Sequence, residues 1–357
     1  MKPLPLRTGI FFYFFFLFGF FFYLWRPDFQ ATLLADFDTG GFYHLSFYRP
    51  GILKPFFFWQ LPEVTPFYEH ASYYSPLPDI IFSFLLRVFG EWRVPFHFFG
   101  FFLHGTNALL LYLFCKELTG RRLLGMLASP IFLFHPENIQ TVSDLSRSFE
   151  SPMVIFFSLF SLGFFLRFLQ NERKSNYGIS LFFLWCACFC KITALTLIPV
   201  VVFLDFFLFG RKLQGDRYFP FILTGLLFAA VALWLYPRGA IPHAWGGSGG
   251  GVFSFLRLVE FNTWLLFPFY LSLGEPFFLL LATFLVMTTL VIWGNGLVKF
   301  LALWMVEALA LFTLSNFRPL GELYKYIYIS TVPFSILLSQ GLLVLIQKAK
   351  FLRQNVS

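Results

Sequence analysis

Apolar runs long enough to cross a bilayer alternate with short polar punctuation along the whole chain. Ile10–Trp25 is the first. Phe96–Cys115, Leu123–Phe134 and Met153–Leu169 follow, then two shorter runs on either side of Lys191, then Tyr218–Tyr236. Residues 276–293, 298–314 and 327–346 complete the series. Runs of about 18–20 apolar residues are the signature of membrane-spanning helices, and backbone groups in lipid must be satisfied within the segment. The pattern therefore predicts an all-α polytopic membrane protein.

The punctuation orients the spans. Lys and Arg concentrate in residues 116–122, 171–176 and 211–217 and in the tail "QKAKFLRQ", so these are expected on the cytoplasmic side. Residues 26–94, 135–150 and 237–251 are expected outside, with the two runs around Lys191 forming a hairpin whose tip is also outside. The parity of a basic start and a basic tail favours an even number, about ten spans, with residues 253–274 half embedded. Counting 259–273 as a full span instead would place the tail outside. The first run is read as an uncleaved span, since no small-residue cleavage site follows it. Residues 26–94 form the largest outer loop, rich in aromatic residues, proline and charge. Within it Leu77–Phe89 is short for a span and is expected to be a helix at the outer interface. The whole chain, 1–357, reads as a single transmembrane domain with no separate soluble domain.

Composition sharpens this in three places. Only 12% of residues are charged and 58% are hydrophobic, with a mean hydropathy of +0.73, against about 25% charged in soluble domains. The net charge of +8 sits in the short loops, as the positive-inside rule requires, and argues against a nucleic-acid partner. The 58 phenylalanines read as lipid-facing filler. Cys186, Cys188 and Cys190 alternate along an apolar run, a spacing that spreads them around a helix, and they read as apolar filler too.

Candidate chemistry gathers on the expected outer face. Asp36, Asp38, His44, Arg49, Lys54, Glu63, Glu69 and His70 are in the first outer loop. His135, Glu137, Asp144 and Arg147 are in the second. Lys191 is at the hairpin tip, and Arg318, Glu322 and Lys325 precede the last span. Ionisable groups near a membrane interior are costly, which makes their grouping informative. "DFDTGG" around Asp36 and Asp38 also fits an Asx-type turn of no catalytic role. Lys191 interrupts an apolar stretch, so it must reach the interface, meet an anion or lose its proton.

An ordered set of motifs carries a resemblance. "YYSPL" (Tyr73–Leu77), "FHFFGFFLHGTNALLLYLF" (Phe96–Phe114), "FHP" (Phe134–Pro136), "CKITALTLIPVVVFLD" (Cys190–Asp205) and "YKYIYIST" (Tyr324–Thr331) resemble the landmarks of GT-C membrane glycosyltransferases. The nearest branch is the transmembrane O-mannosyltransferase-like proteins that often carry tetratricopeptide repeats, here without the repeat domain. Ser75, Gln140, Ile192 and Lys325 depart from that branch's Arg, Glu, Glu and Arg. The resemblance implies transfer of a sugar, possibly mannose-like, from a polyprenyl-phosphate donor to an acceptor outside a bacterial inner membrane, or alternatively in the endoplasmic reticulum. It implies Asp36 or Asp38 as the base that takes the acceptor's proton. Lys191, Lys325, Arg147 and Arg318 would meet the donor phosphate, and His44, Tyr74, His135 and Tyr326 would contact substrate. A divalent cation is left open. Two other readings stay open: a noncatalytic protein that kept the arrangement, and a transporter of lipid or solute.

Overall fold

The computed structural model describes residues 13–15, 17–20, 75–90, 92–143, 150–212, 214–235, 259, 262–263, 265–266, 276–314 and 324–356. Among them every regular element is a helix and no strand occurs. In chain order the helices are α1 (Pro76–Phe89), α2 (Arg93–Thr119), α3 (Arg122–Leu133), α4 (Pro136–Ser143), α5 (Glu150–Asn171) and α6 (Lys174–Cys190). A 3-10 turn (Ile192–Thr196) leads into α7 (Leu197–Phe209), followed by α8 (Gly215–Leu235), α9 (Pro276–Trp293), α10 (Gly296–Leu314) and α11 (Tyr324–Val356).

Among the described residues, four segments are long and apolar enough to cross a membrane: Val94–Thr119, Glu150–Asn171, Ile192–Phe209 and Ile327–Leu352. The protein is thus a helical membrane protein. The fuller count of ten spans, and the large first outer loop, depend on residues 26–74 and 236–275, most of which lie outside the described residues. Helix boundaries follow the apolar runs closely. Pro76 opens α1, where its missing N–H costs nothing. Gly120, at φ 70°, ends α2 by returning its N–H to Lys116 O at 2.9 Å, a left-handed position that glycine takes without a Cβ penalty.

The turn at Gly120 folds α3 back along α2. Gly125 makes that contact possible: a Cβ there would lie 2.7 Å from Tyr112 O. The first segment joins the same pair, with Tyr13 Oη donating to Met126 O at 2.6 Å and Phe14 packed edge-on to Tyr112. The main core runs through α2, α3, α5, α6, α7, α10 and α11, with Phe101, Leu111, Leu124, Phe132, Phe165 and Trp304 fully or nearly fully buried. The helix α1 packs on α2 and α6 through Phe82, Leu85 and Leu86. Cys186, Cys188 and Cys190 are free thiols of α6, the latter two buried in the core.

Hydrogen bonds define two ends of the bundle. At one, Arg167 of α5 grips Glu117 of α2, Tyr177 of α6 donates to Arg217 O, and Arg211 after α7 donates to Leu169 O of α5. The α2–α3, α5–α6 and α7–α8 turns, all expected to be cytoplasmic, therefore share this Arg211 end. With the base of α6 and the foot of α7 both there, the two form a hairpin whose tip is Lys191, at the opposite end.

One expectation changes. Residues 135–150 read as a polar outer loop, but residues 136–143 form α4, which packs against α11, α2 and α3 with Glu137, Asn138, Thr141 and Val142 buried. The reason is the shortness of α3. Twelve residues rise only about 18 Å, well short of the roughly 30 Å hydrocarbon core. The chain thus turns into α4 while still flanked by α2 and α11, and its polar side chains must find partners inside the bundle.

Candidate functional site

A belt of buried polar groups crosses the Lys191 end. It begins at Lys191, whose backbone is extended (φ −167°, ψ 139°) and separates α6 from the 3-10 turn. Breaking the helix there lets the lysine leave the apolar wall of α6. Its residue is only 1% exposed, and Glu150 Oε2, at the start of α5, stands 3.9 Å from Nζ. Of the three outcomes open to Lys191, the structure places an anion nearby: with Ile192 in place of a neighbouring acid, this carboxylate comes from another helix.

Two residues further along α5, Pro152 O accepts from Asn107 Nδ2 of α2 at 2.8 Å. One turn before Asn107, His104 bridges three helices. Its Nε2 lies 3.1 Å from Leu133 O of α3 and its Nδ1 lies 2.7 Å from Tyr328 Oη of α11. A carbonyl can only accept, so Nε2–H donates to it, and in the neutral imidazole Nδ1 accepts from the tyrosine hydroxyl. Thr331, one turn after Tyr328, donates to Asn138 Oδ1 of α4 at 3.0 Å or to Tyr328 O at 2.6 Å, and Asn138 Nδ2 donates to Phe132 O at 2.7 Å. The belt thus links α6, α5, α2, α3, α11 and α4 in turn.

His135 and Glu137 flank Asn138. His135 Nε2 donates to Leu265 O at 3.2 Å, which ties α4 to the segment after α8. Its Nδ1 has no hydrogen-bond partner among the described residues. Burial pushes the imidazole down to about 4, partly offset by that backbone bond. Glu137 Oε2 likewise has no partner among them, and burial raises its carboxyl to about 7. An acid and a base, both pushed toward neutrality by desolvation, thus sit two residues apart.

Of the residues singled out from the sequence, the structure brings Lys191 and His135 to one end of the bundle. Lys325 and Tyr326 belong to the first turn of α11 at that same end, though their side chains are outside the described set. Asp36, Asp38, His44, Tyr74, Arg147 and Arg318 lie outside the described residues altogether. No three His, Cys, Asp or Glu side chains come together as a metal site among the described residues. Of the departing positions, Ser75 precedes α1 at its N-cap position without a side-chain cap bond, and Ile192 opens the 3-10 turn.

Sequence reading missed His104, Asn107, Asn138, Glu150 and Tyr328 as site residues. For the first two a signal was present. His97, His104 and Asn107 recur at spacings of seven and three within an apolar run, which places them on one face of α2.

Comparison of the chain with protein-family models, with curated proteins and with solved structures finds no match to any of them.

Proposed function

We propose that the chain is a GT-C-like membrane glycosyltransferase, which moves a sugar from a polyprenyl-phosphate donor to an acceptor on the outer face of a bacterial inner membrane, using about ten spans. One observation carries this reading: a lysine with 1% exposure, held at a helix break at the same end of the bundle as His135 and the start of α11. A buried ammonium is the kind of group a departing lipid phosphate requires, since the phosphate gains negative charge as the glycosidic bond breaks. Lys325 would add a second cation from the first turn of α11, with Arg147 and Arg318 as further phosphate partners. Asp36 or Asp38 would take the proton of the acceptor hydroxyl. His44, Tyr74, His135 and Tyr326 would position the sugar.

Glu150 favours a second reading. A lysine whose charge is already answered needs no ligand, and a noncatalytic membrane protein could keep such a pair for architecture alone.

Sugar transfer from a radiolabelled polyprenyl-phosphate sugar, measured in membranes containing the full chain, separates the two. The transferase reading expects turnover in the wild type, its loss in Asp36→Asn or Asp38→Asn, and a strongly raised donor KM in Lys191→Met. Full turnover in both aspartate variants would remove the assignment of the base. No turnover in the wild type with any tested donor would leave the noncatalytic reading.

A further inference from the structure

The Arg211 end carries more cations than its acids can pair. Glu117 is taken by Arg167 at 2.6 Å, Asp205 by Arg217 at 2.7 Å and Glu172 by Arg211 at 3.8 Å. Asp216 of α8 is the remaining acid of these turns. Against it stand Lys116, Arg121, Arg122, Arg173, Lys174 and Lys212, all exposed and without an ion pair among the described residues.

Two turns hold these cations in fixed places. Between α2 and α3, the Arg121 N–H donates to Thr119 Oγ1 at 3.2 Å. Between α5 and α6, Glu172 takes a left-handed backbone, φ 56°, and returns its N–H to Phe168 O at 2.7 Å. Asn171 Oδ1 then accepts from the Arg173 N–H at 3.2 Å and from Asn176 Nδ2 at 3.1 Å. A left-handed residue other than glycine is unfavourable on its own, so these bonds hold the turn in one shape.

The membrane boundary falls at the same level. Trp293, 74% exposed, ends α9, and Gly296 at the start of α10 lies against Phe207 O near the foot of α7. Exposed tryptophan is a mark of the membrane–water interface. Leu113 and Leu123 flank the cations of the α2–α3 turn, and Phe182 is two turns into α6 from Lys174; all three are exposed. Cations with bare apolar surface beside and below them match a phospholipid, its headgroup outside and its acyl chains within.

The basic tail of α11 does not share that level. Phe132 of α3 and Tyr328 of α11 meet edge-on at 5.6 Å. From there Arg122 is ten residues along α3 and Lys348 is twenty along α11. Lys348 therefore lies about 15 Å past Arg122, beyond the screening length of about 8–10 Å.

We propose that the rim of the Arg211 end is a docking surface for anionic phospholipid headgroups, with Arg121 and Arg122 of the α2–α3 turn and Arg173 and Lys174 of the α5–α6 turn as its two phosphate-reading pairs. Neighbouring like charges repel, and an anion shared between them offsets that repulsion. Guanidinium forks also match the oxygens of a phosphate. This end is expected to face the cytoplasm, where the leaflet is the anionic one. Sugar transfer plays no part in this surface, so its test leaves the readings under Proposed function untouched.

The test uses the full chain in nanodiscs of phosphatidylcholine doped with phosphatidylglycerol, with retained lipid read by native mass spectrometry. Phosphatidylglycerol is expected to be retained about tenfold over phosphatidylcholine, and less so in high salt. Arg121→Gln with Arg122→Gln, and separately Arg173→Gln with Lys174→Gln, should each lower that preference by about fivefold. Their melting temperatures in phosphatidylcholine alone should match the wild type, because the side chains are exposed and unpaired. Arg121→Lys with Arg122→Lys keeps the charge and should keep most of the preference. Lys348→Gln with Lys350→Gln removes as much charge from the tail of α11 and should change the preference by less than about twofold. Equal retention of the two lipids by the wild type overturns the proposal. So does an equal loss in the α11 pair, because net charge rather than this rim would then set the preference.

Discussion

The two ends of the bundle pair buried charge at different distances. At the Arg211 end, Asp205 is fully buried and accepts from Arg217 Nη1 and Tyr218 Oη, both at 2.7 Å, with Arg211 Nε at 4.0 Å. Arg211 also donates to Leu169 O and pairs with Glu172 at 3.8 Å. Arg167 holds both oxygens of Glu117, at 2.6 and 3.0 Å. At the Lys191 end the pair is loose, and Glu137 Oε2, His135 Nδ1 and Thr193 Oγ1 lack partners among the described residues. The Arg211 end also leaves Asp205 Oδ1 and Arg211 Nη1 without hydrogen bonds among the described residues, so the ends differ in how closely their charges are paired: 2.7 Å for Arg217 and Asp205 against 3.9 Å for Lys191 and Glu150.

The sharpest way to break this comparison is at Asp205. Asp205→Ala strands Arg217 and the Tyr218 hydroxyl, and breaking a buried ion pair from one side costs about 3–5 kcal/mol. The expected outcome is a large fall in melting temperature of the detergent-purified protein. A fall of no more than about a degree would mean that the Arg211 end is not the stabilising one.

Lys191 gives the matched experiment at the other end. Lys191→Met removes the ammonium beside the partly buried Glu150 carboxylate and should cost about 1–3 kcal/mol. The double variant Lys191→Met, Glu150→Gln should recover most of that, because replacing both members of a buried pair is often neutral. If the double variant is as unstable as the single one, the pair is structural in the same sense as Asp205.

The pH dependence of melting sharpens the contrast further. Glu137, with a folded-state value of about 7 against 4.5, contributes stability that is fully present below pH 4.5 and is lost as pH rises toward 7. His135, lowered from 6.5 to about 4, contributes stability present above pH 6.5 and lost as pH falls toward 4. Between pH 4.5 and 6.5 the two slopes oppose each other. Glu137→Gln should unmask the histidine, so that stability rises with pH over that window. A profile identical to wild type would show that neither group is held as described.

The smallest effect is expected at Arg167. The bidentate pair with Glu117 is well formed, yet the arginine side chain is 49% exposed, and exposed pairs contribute about 0.2–1 kcal/mol. Glu117→Gln should shift melting only slightly, and less in high salt.

Much of the scaffold was legible in the apolar runs. Phe96–Cys115, Met153–Leu169 and residues 276–293 anticipate α2, α5 and α9, because lipid-compatible helices need long apolar stretches and show them openly. Basic loops expected together do meet at the Arg211 end. The candidate site was less legible, for a physical reason. Glu137, Asn138 and Thr141 look like solvent-facing residues, since in sequence a polar side chain bonded to protein is indistinguishable from one bonded to water. The anion beside Lys191 could not be read from its neighbours, because Glu150 reaches it from another helix. The helix expected over Leu77–Phe89 is seen as α1, packed on α2 and α6.

The hydrogen bonds of the belt join residues that are made far apart in time. His104 and Tyr328 are 224 residues apart, and Asn138 and Thr331 are 193 apart. The Arg211 end closes over separations of 12 to 53 residues. At about 5–20 residues per second, the helices that carry His104 and Asn138 wait roughly 10–45 s after synthesis for α11 to be made. During that interval the histidine and the asparagine are already in the nascent bundle without their final partners. A membrane insertase or chaperone that shields polar groups in lipid would therefore be needed most at this stage, and ribosomes stalled before and after Tyr324 should differ sharply in how well such a factor crosslinks to α2.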